Sequence, residues 1–183
     1  TALKHPDTTE ALRRLPMLRR YRVGNSTIGV VHGDAHSLAG WGFDVTALDD
    51  RQNHDWIVDS FRQAAVDIFA STHTCLPALR SYVVDGKSKV VVNNGAAGMP
   101  NFSGDRRGLI TRISLQTAVC KPIYSQRIGN THVDAIAIEY DHVRWQRQFL
   151  RNWPAGSPAW VSYIDRIEGG TEFSIEKACL VKD

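Results

Sequence analysis

Val66-Asp67-Ile68-Phe69-Ala70-Ser71-Thr72-His73-Thr74-Cys75-Leu76-Pro77 is the stretch that decides how this chain folds. Val66 to Ala70 is a short, largely apolar run of the kind a buried strand makes, and Pro77 closes the polar segment behind it. His73 and Cys75 stand two residues apart in that strand-end loop, so both can turn toward one point, a spacing suited to metal ligands. Earlier in the chain the pattern recurs, where Ile28-Gly29-Val30-Val31 runs into His32-Gly33-Asp34. Strand ends that each deliver a histidine build a site along the carboxyl edge of an α/β sheet.

Between these strands Trp56-Ile57, Phe61 and Ala64-Ala65 recur at helical spacing, which predicts an amphipathic helix over residues 54–66. A helix joining two strands that end in the same place is a β-α-β crossover. Upstream, Tyr21 to Val23 and Thr27 to Val31 flank Gly24-Asn25-Ser26 as a hairpin, and Asp7-Thr8-Thr9-Glu10 opens a capped helix ending near Pro16. Downstream, Arg80 to Val84 and Ser88 to Val92 flank Asp85-Gly86, a strong hairpin signal. Leu109 to Leu115 reads as a further strand, and Ile123 to Arg127 pairs with Val133 to Ile138 around Ile128-Gly129-Asn130-Thr131. Helices are expected over Val143 to Trp153, over Pro158 to Glu168 with Gly169-Gly170 as the stop, and over Ile175 to Leu180. The elements sum to one mixed α/β sheet, largely antiparallel in its later part, with the helices gathered on one face.

A chain of 183 residues carries one sizeable domain, and no repeat, low-complexity stretch or linker divides residues 1–183. Its net charge of +3 is a mild basic excess. The arginines at 13, 14, 19 and 20 have no interleaved aromatics, so they read as solvated surface rather than a nucleic-acid footprint. The three cysteines form no CxxC pair and leave an odd thiol, which points to a reducing, cytoplasmic setting. No run reaches the roughly 18 apolar residues of a membrane span, and no signal peptide stands at Thr1.

The histidine loops resemble the calcineurin-like metallophosphoesterases, in particular the small bacterial YfcE-type phosphodiesterases. That family carries H-G-D/H, then G-H-T-H-x-P, then N-P-G-S. Here the matching segments are His32-Gly33-Asp34, Thr72-His73-Thr74-Cys75-Leu76-Pro77, and Asn93-Asn94-Gly95-Ala96 with Gly98 and Pro100 following. The resemblance covers residues 25–115, with a looser likeness from Tyr140 to Ile167. It implies a four-layer αββα sandwich, to which this chain would supply mainly one mixed sheet and its helical layer. It also implies hydrolysis of a phosphomonoester or phosphodiester at a dinuclear centre of divalent transition metals, Mn, Fe or Zn.

In the family both loop histidines bind the second metal, so the resemblance gives that part to His32 and His73. The family's second loop histidine, a ligand of the first metal, is Cys75 here, and its glycine is Thr72. A thiolate would favour Zn or Fe over Mn; otherwise Cys75 is a small buried hydrophobe and the first site is weak or absent. Asp34 either orients His32 or caps the next turn. His36 either meets the substrate phosphate or faces solvent. Asn93 and Asn94 form, with Gly95, a tight turn bordering the site. The family's D-x-H, G-D-x-x and G-N-H-D motifs are absent, and they and the catalytic acid are expected upstream of Thr1. The departures at Thr72 and Cys75 keep a second function open, a non-catalytic metallophosphoesterase-like scaffold or ligand-binding module.

Ile28 to Val31, Val66 to Ala70 and Val90 to Val92 are apolar at consecutive positions, as strands buried on both faces are. If the helices cover one face, the other needs a segment outside these residues, an amino-terminal half, or a symmetry-related chain.

Overall fold

Leu18–Val23 (β1) and Ser26–Val31 (β2) pair antiparallel through a turn in which Gly24 takes φ +58, a left-handed angle that suits glycine. Residues 5–180 are described by the computed structural model. Beyond the His32 loop come a short helix, Val45–Asp49 (α2), and a 3-10 turn, Arg51–Asn53, that the sequence pattern does not announce. Both begin at aspartates, whose carboxylates take the Thr46 and Gln52 N–H groups.

His54–Ala64 (α3) is the expected crossover helix, burying Ile57, Val58 and Phe61. It delivers Ile68–Ser71 (β3) parallel to β2, with Ile28 opposite Ile68 and Val30 opposite Ala70. Ala65 ends α3 at φ 50, ψ 47, a left-handed residue with a Cβ, and it is exposed. Glycine carries no penalty there. Ala65→Gly is therefore expected to stabilise the protein by about 1 kcal/mol, read as a raised midpoint in thermal or urea unfolding.

Pro77–Val84 (β4) and Lys87–Asn94 (β5) form the Asp85-Gly86 hairpin, and β5 lies parallel to β3. The resulting five-stranded sheet runs β1-β2-β3-β5-β4. Alternation along β5 serves two cores. Val91 meets Ile57, Phe61 and Phe69 on the α3 side, while Val90 and Val92 face inward with Ile28, Ile68 and Leu79.

The structure corrects the single-sheet expectation. Gly108–Ser114 (β6), Tyr124–Ile128 (β7) and Thr131–Ile138 (β8) do not extend the first sheet but form a second, ordered β6-β8-β7. Leu109, Tyr124, Val133 and Ala135 of this sheet pack on the inner face of the first. Much of the apolar face expected to need an outside partner is thus covered by the chain itself. The reason is the twofold alternation of these strands, which presents an apolar side to a face that must be buried. Strand pattern reports that a strand has such a side, not which sheet it joins.

The helices also divide differently from the expectation of one helical face. α3 covers the outer face of the large sheet. His142–Asn152 (α4) and Pro158–Gly169 (α5) instead share a separate core of Phe149, Ile164 and Ile167, against Met99 and Trp160. Pro6–Arg13 (α1) buries no residue, and Ile175–Ala178 (α6) closes against β4. No helix among the described residues is long and apolar enough to cross a membrane.

Candidate functional site

Parallel strands β2, β3 and β5 all end on the same edge, so the loops after them meet there. The first two loops are joined by backbone: the Thr72 and His73 N–H groups donate to the His32 carbonyl at 3.2 and 2.9 Å. Ser71 is buried and its hydroxyl donates to the Gly33 carbonyl at 2.6 Å. These bonds bring the two imidazoles together. His73 Nδ1 lies 3.2 Å from His32 Nε2, and the rings meet edge to face with centroids 4.9 Å apart.

Two arrangements give that separation. One ring can donate a hydrogen bond to the other. Alternatively, two nitrogens each about 2.0–2.1 Å from one ion at a tetrahedral angle stand roughly 3.3 Å apart. Trp41, a residue that sequence spacing does not single out, places its exposed indole 5.8 Å from the His73 ring.

Asp34 is a loop organiser. Its Oδ1 accepts the His36 and Ser37 N–H groups, each at 2.9 Å, and its Oδ2 accepts the Gly42 N–H at 3.1 Å. Of the alternatives raised by the sequence, the turn-capping one is what the hydrogen bonds describe. Gly40 passes so close to this carboxylate that any Cβ there would overlap it. His36 turns away to α3, with Nε2 3.3 Å from Ser60 Oγ and its ring against Trp56.

Asn93 is fully buried and braces the His73 turn from below, donating to Thr74 Oγ1 at 2.9 Å and accepting the Gly95 N–H at 3.1 Å. Asn94 donates to the Leu109 carbonyl and so links the site edge to the second sheet. Asn101, fully buried, holds the following loop through Ala96 and Met99.

Cys75 does not complete a metal-ligand group with the histidines among the described residues. It takes φ 58, and its sulfur lies 3.5 Å from the His73 carbonyl. Arg166 of α5 donates to the carbonyls of Cys75 and Pro100, both at 2.8 Å. Burial pulls the Arg166 guanidinium below its usual value, and the Cys75 thiol and the Tyr163 and Tyr140 phenols lie within electrostatic reach of it. Sequence reading missed this arginine because its partners are backbone carbonyls far away in the chain. In the neighbouring loop Arg107 is paired with Asp105, and Arg106 donates to the Glu168 carbonyl.

Among the described residues no group of three or more His, Cys, Asp or Glu side chains is placed to hold a metal ion. A structural zinc takes four protein ligands and a catalytic one commonly takes three. Two imidazoles therefore do not fit a dinuclear centre by themselves; they fit one corner of an ion's shell.

No protein-family model matches the sequence, and no curated protein matches it either. Solved structures do. A metallophosphoesterase from Sphaerobacter thermophilus superposes over 90% of this chain with 19% identity and a TM-score of 0.51. A hypothetical protein from Pyrococcus horikoshii superposes over 91% with 16% identity and a TM-score of 0.50. The chain spans 63% and 56% of the lengths of these two structures. Identity at this level speaks for architecture alone, and the architecture is mixed α/β with the two histidine loops on one edge: the chain has a metallophosphoesterase-type fold.

Proposed function

We propose that the protein is a metal-dependent phosphoesterase that hydrolyses a phosphomonoester or phosphodiester. In this reading His32 and His73 hold one divalent ion, Mn, Fe or Zn, of a two-ion centre, and the remaining ligands come from polypeptide outside these 183 residues. The observation that supports it is the 3.2 Å approach of His73 Nδ1 to His32 Nε2 at the carboxyl edge of parallel strands. A two-ion centre of this kind would polarise a phosphoryl oxygen and activate water. The chain's own residues would orient and support: Asp34 shapes the loop carrying His32, and Asn93 steadies the turn carrying His73. A reducing compartment belongs to the same proposal, as Cys75, Cys120 and Cys179 are all free thiols.

The position of Cys75 supports a second reading. Among the described residues its thiol completes no metal-ligand group with the two histidines and instead donates to the His73 backbone carbonyl, as suits a non-catalytic scaffold that keeps the fold without a complete first metal position. One experiment separates the two. The protein at its natural length, assayed with p-nitrophenyl phosphate and bis(p-nitrophenyl) phosphate in added Mn or Zn, is expected to turn over at least one of them. His73→Ala is expected to remove that activity. A folded, metal-binding protein inert on both esters would favour the scaffold.

A further inference from the structure

Each sheet has two outer edges, and they are not treated alike. β1 carries Arg19, Arg20 and Arg22. β4 is covered by α6 and the residue that follows it, through the bonds from Arg80 to the Lys177 and Ala178 carbonyls and the Leu79–Cys179 bridge. β7 is polar at Ser125, Gln126 and Arg127. Charge, polarity and cover are how natural sheets prevent edge pairing. β6 is covered only at its start, where the Leu109 N–H donates to the Ala96 carbonyl and the Leu109 carbonyl accepts from Asn94; among the described residues nothing comparable covers it from Ile110 to Ser114. Its one charge, Arg112, is turned to Asp134 on β8 and to the Gln116 and Thr117 carbonyls.

Beside that edge lies an apolar cleft of about 450 Å³ between β6 and the inner face of β1-β2-β3. Val30 faces it from β2, a strand paired on both sides, yet is 42% exposed, while Ile28 on the same face is 3% exposed. Tyr21 and Ile110, also in the lining, are 50% and 39% exposed. Strand widths account for the cleft. Five strands facing three leave about two widths, roughly 10 Å, of inner face uncovered.

We propose that the outer edge of β6 takes an extended strand from polypeptide of the same protein outside these 183 residues. It would continue the second sheet over Val30 and Tyr21. Strand addition of this kind uses main-chain bonds for affinity and alternate side chains for fit, so the inward residues of the added strand are apolar. Two observations favour this occupant over a second copy. The Sphaerobacter and Pyrococcus structures, which share the architecture, have 63% and 56% of their lengths matched by this chain, so each has further polypeptide of its own. Antiparallel pairing of β6 with β6 of another copy would also put both large sheets on the same side. Their overhangs past β6 would then occupy the same space.

Hydrogen exchange resolved to residues 110–114 tests the proposal. These residues are expected to exchange at least about tenfold more slowly in the protein at its natural length than in the 183-residue chain, with β5 unchanged. Val30→Cys in the natural-length protein gives a reading independent of how well the shorter chain folds: maleimide labelling should be at least about tenfold slower than in unfolded protein. Equal exchange in the two forms, or labelling as fast as in unfolded protein, would overturn the proposal. So would protection of β6 in the 183-residue chain that rises with concentration alongside a dimer mass, because a second copy would then be the cover.

Discussion

Arg80→Met is expected to lower the stability of the protein by about 3–5 kcal/mol, the range for breaking a buried ionic network by removing one partner. Arg80 is only 6% exposed and its guanidinium serves three elements at once. It meets Asp49 of α2 at 2.6 and 3.0 Å, and it donates to the carbonyls of Leu79 in its own strand and of Lys177 and Ala178 at the far end of the chain. Methionine fills a similar volume but leaves three carbonyls without their donor. Orphaned buried groups cost about 1–3 kcal/mol each. Asp49 is 43% exposed and can turn to water, so the loss comes mainly from the carbonyls. Asp49→Asn, which spares them, is expected to cost only about 1 kcal/mol. Urea unfolding of both variants measures the contrast, and equal losses would mean that the salt bridge, not the carbonyl cluster, carries the stabilisation.

Asp34→Ala is expected to cost about 2–4 kcal/mol and to loosen the loop that presents His32. The carboxylate is 8% exposed and takes backbone N–H groups from His36, Ser37 and Gly42, which no alanine can accept. Hydrogen bonds to a charged group are the strong kind, at about 1.5–3 kcal/mol each. His36→Ala provides the comparison, since His36 is exposed and bonded only at its edge to Ser60, and it should change stability by less than about 0.5 kcal/mol. Circular dichroism melts give both values. A small loss in Asp34→Ala would mean that the loop is held by the Ser71 and His73 bonds alone.

The same two residues show how much was legible in the sequence. Local signals sufficed for the β2-α3-β3 crossover, because apolar runs, helical spacing and turn residues all lie within short windows. They also sufficed to bring His32 and His73 together, because parallel neighbouring strands must end side by side. What the sequence concealed was non-local. That β6, β7 and β8 form their own sheet depends on pairing between strands, not on any one strand's pattern. Arg80 and Arg166 bond to carbonyls that every residue type carries, so nothing in the sequence marks their partners. Cys75 was legible as a strand-end thiol, but its left-handed backbone, and with it the direction of the sulfur, was not.

Central to the proposed function is the histidine pair as part of a metal position on this fold. Its most direct test is metal affinity, measured by equilibrium dialysis with Zn and Mn on the protein at its natural length and on its His32→Ala and His73→Ala forms. Each substitution is expected to weaken binding of the same ion by at least about tenfold, a loss that even residues behind a metal ligand commonly produce, with the circular dichroism spectrum unchanged. Metal affinity undiminished in the folded double variant would contradict the account and leave the 3.2 Å contact as a hydrogen bond between two rings.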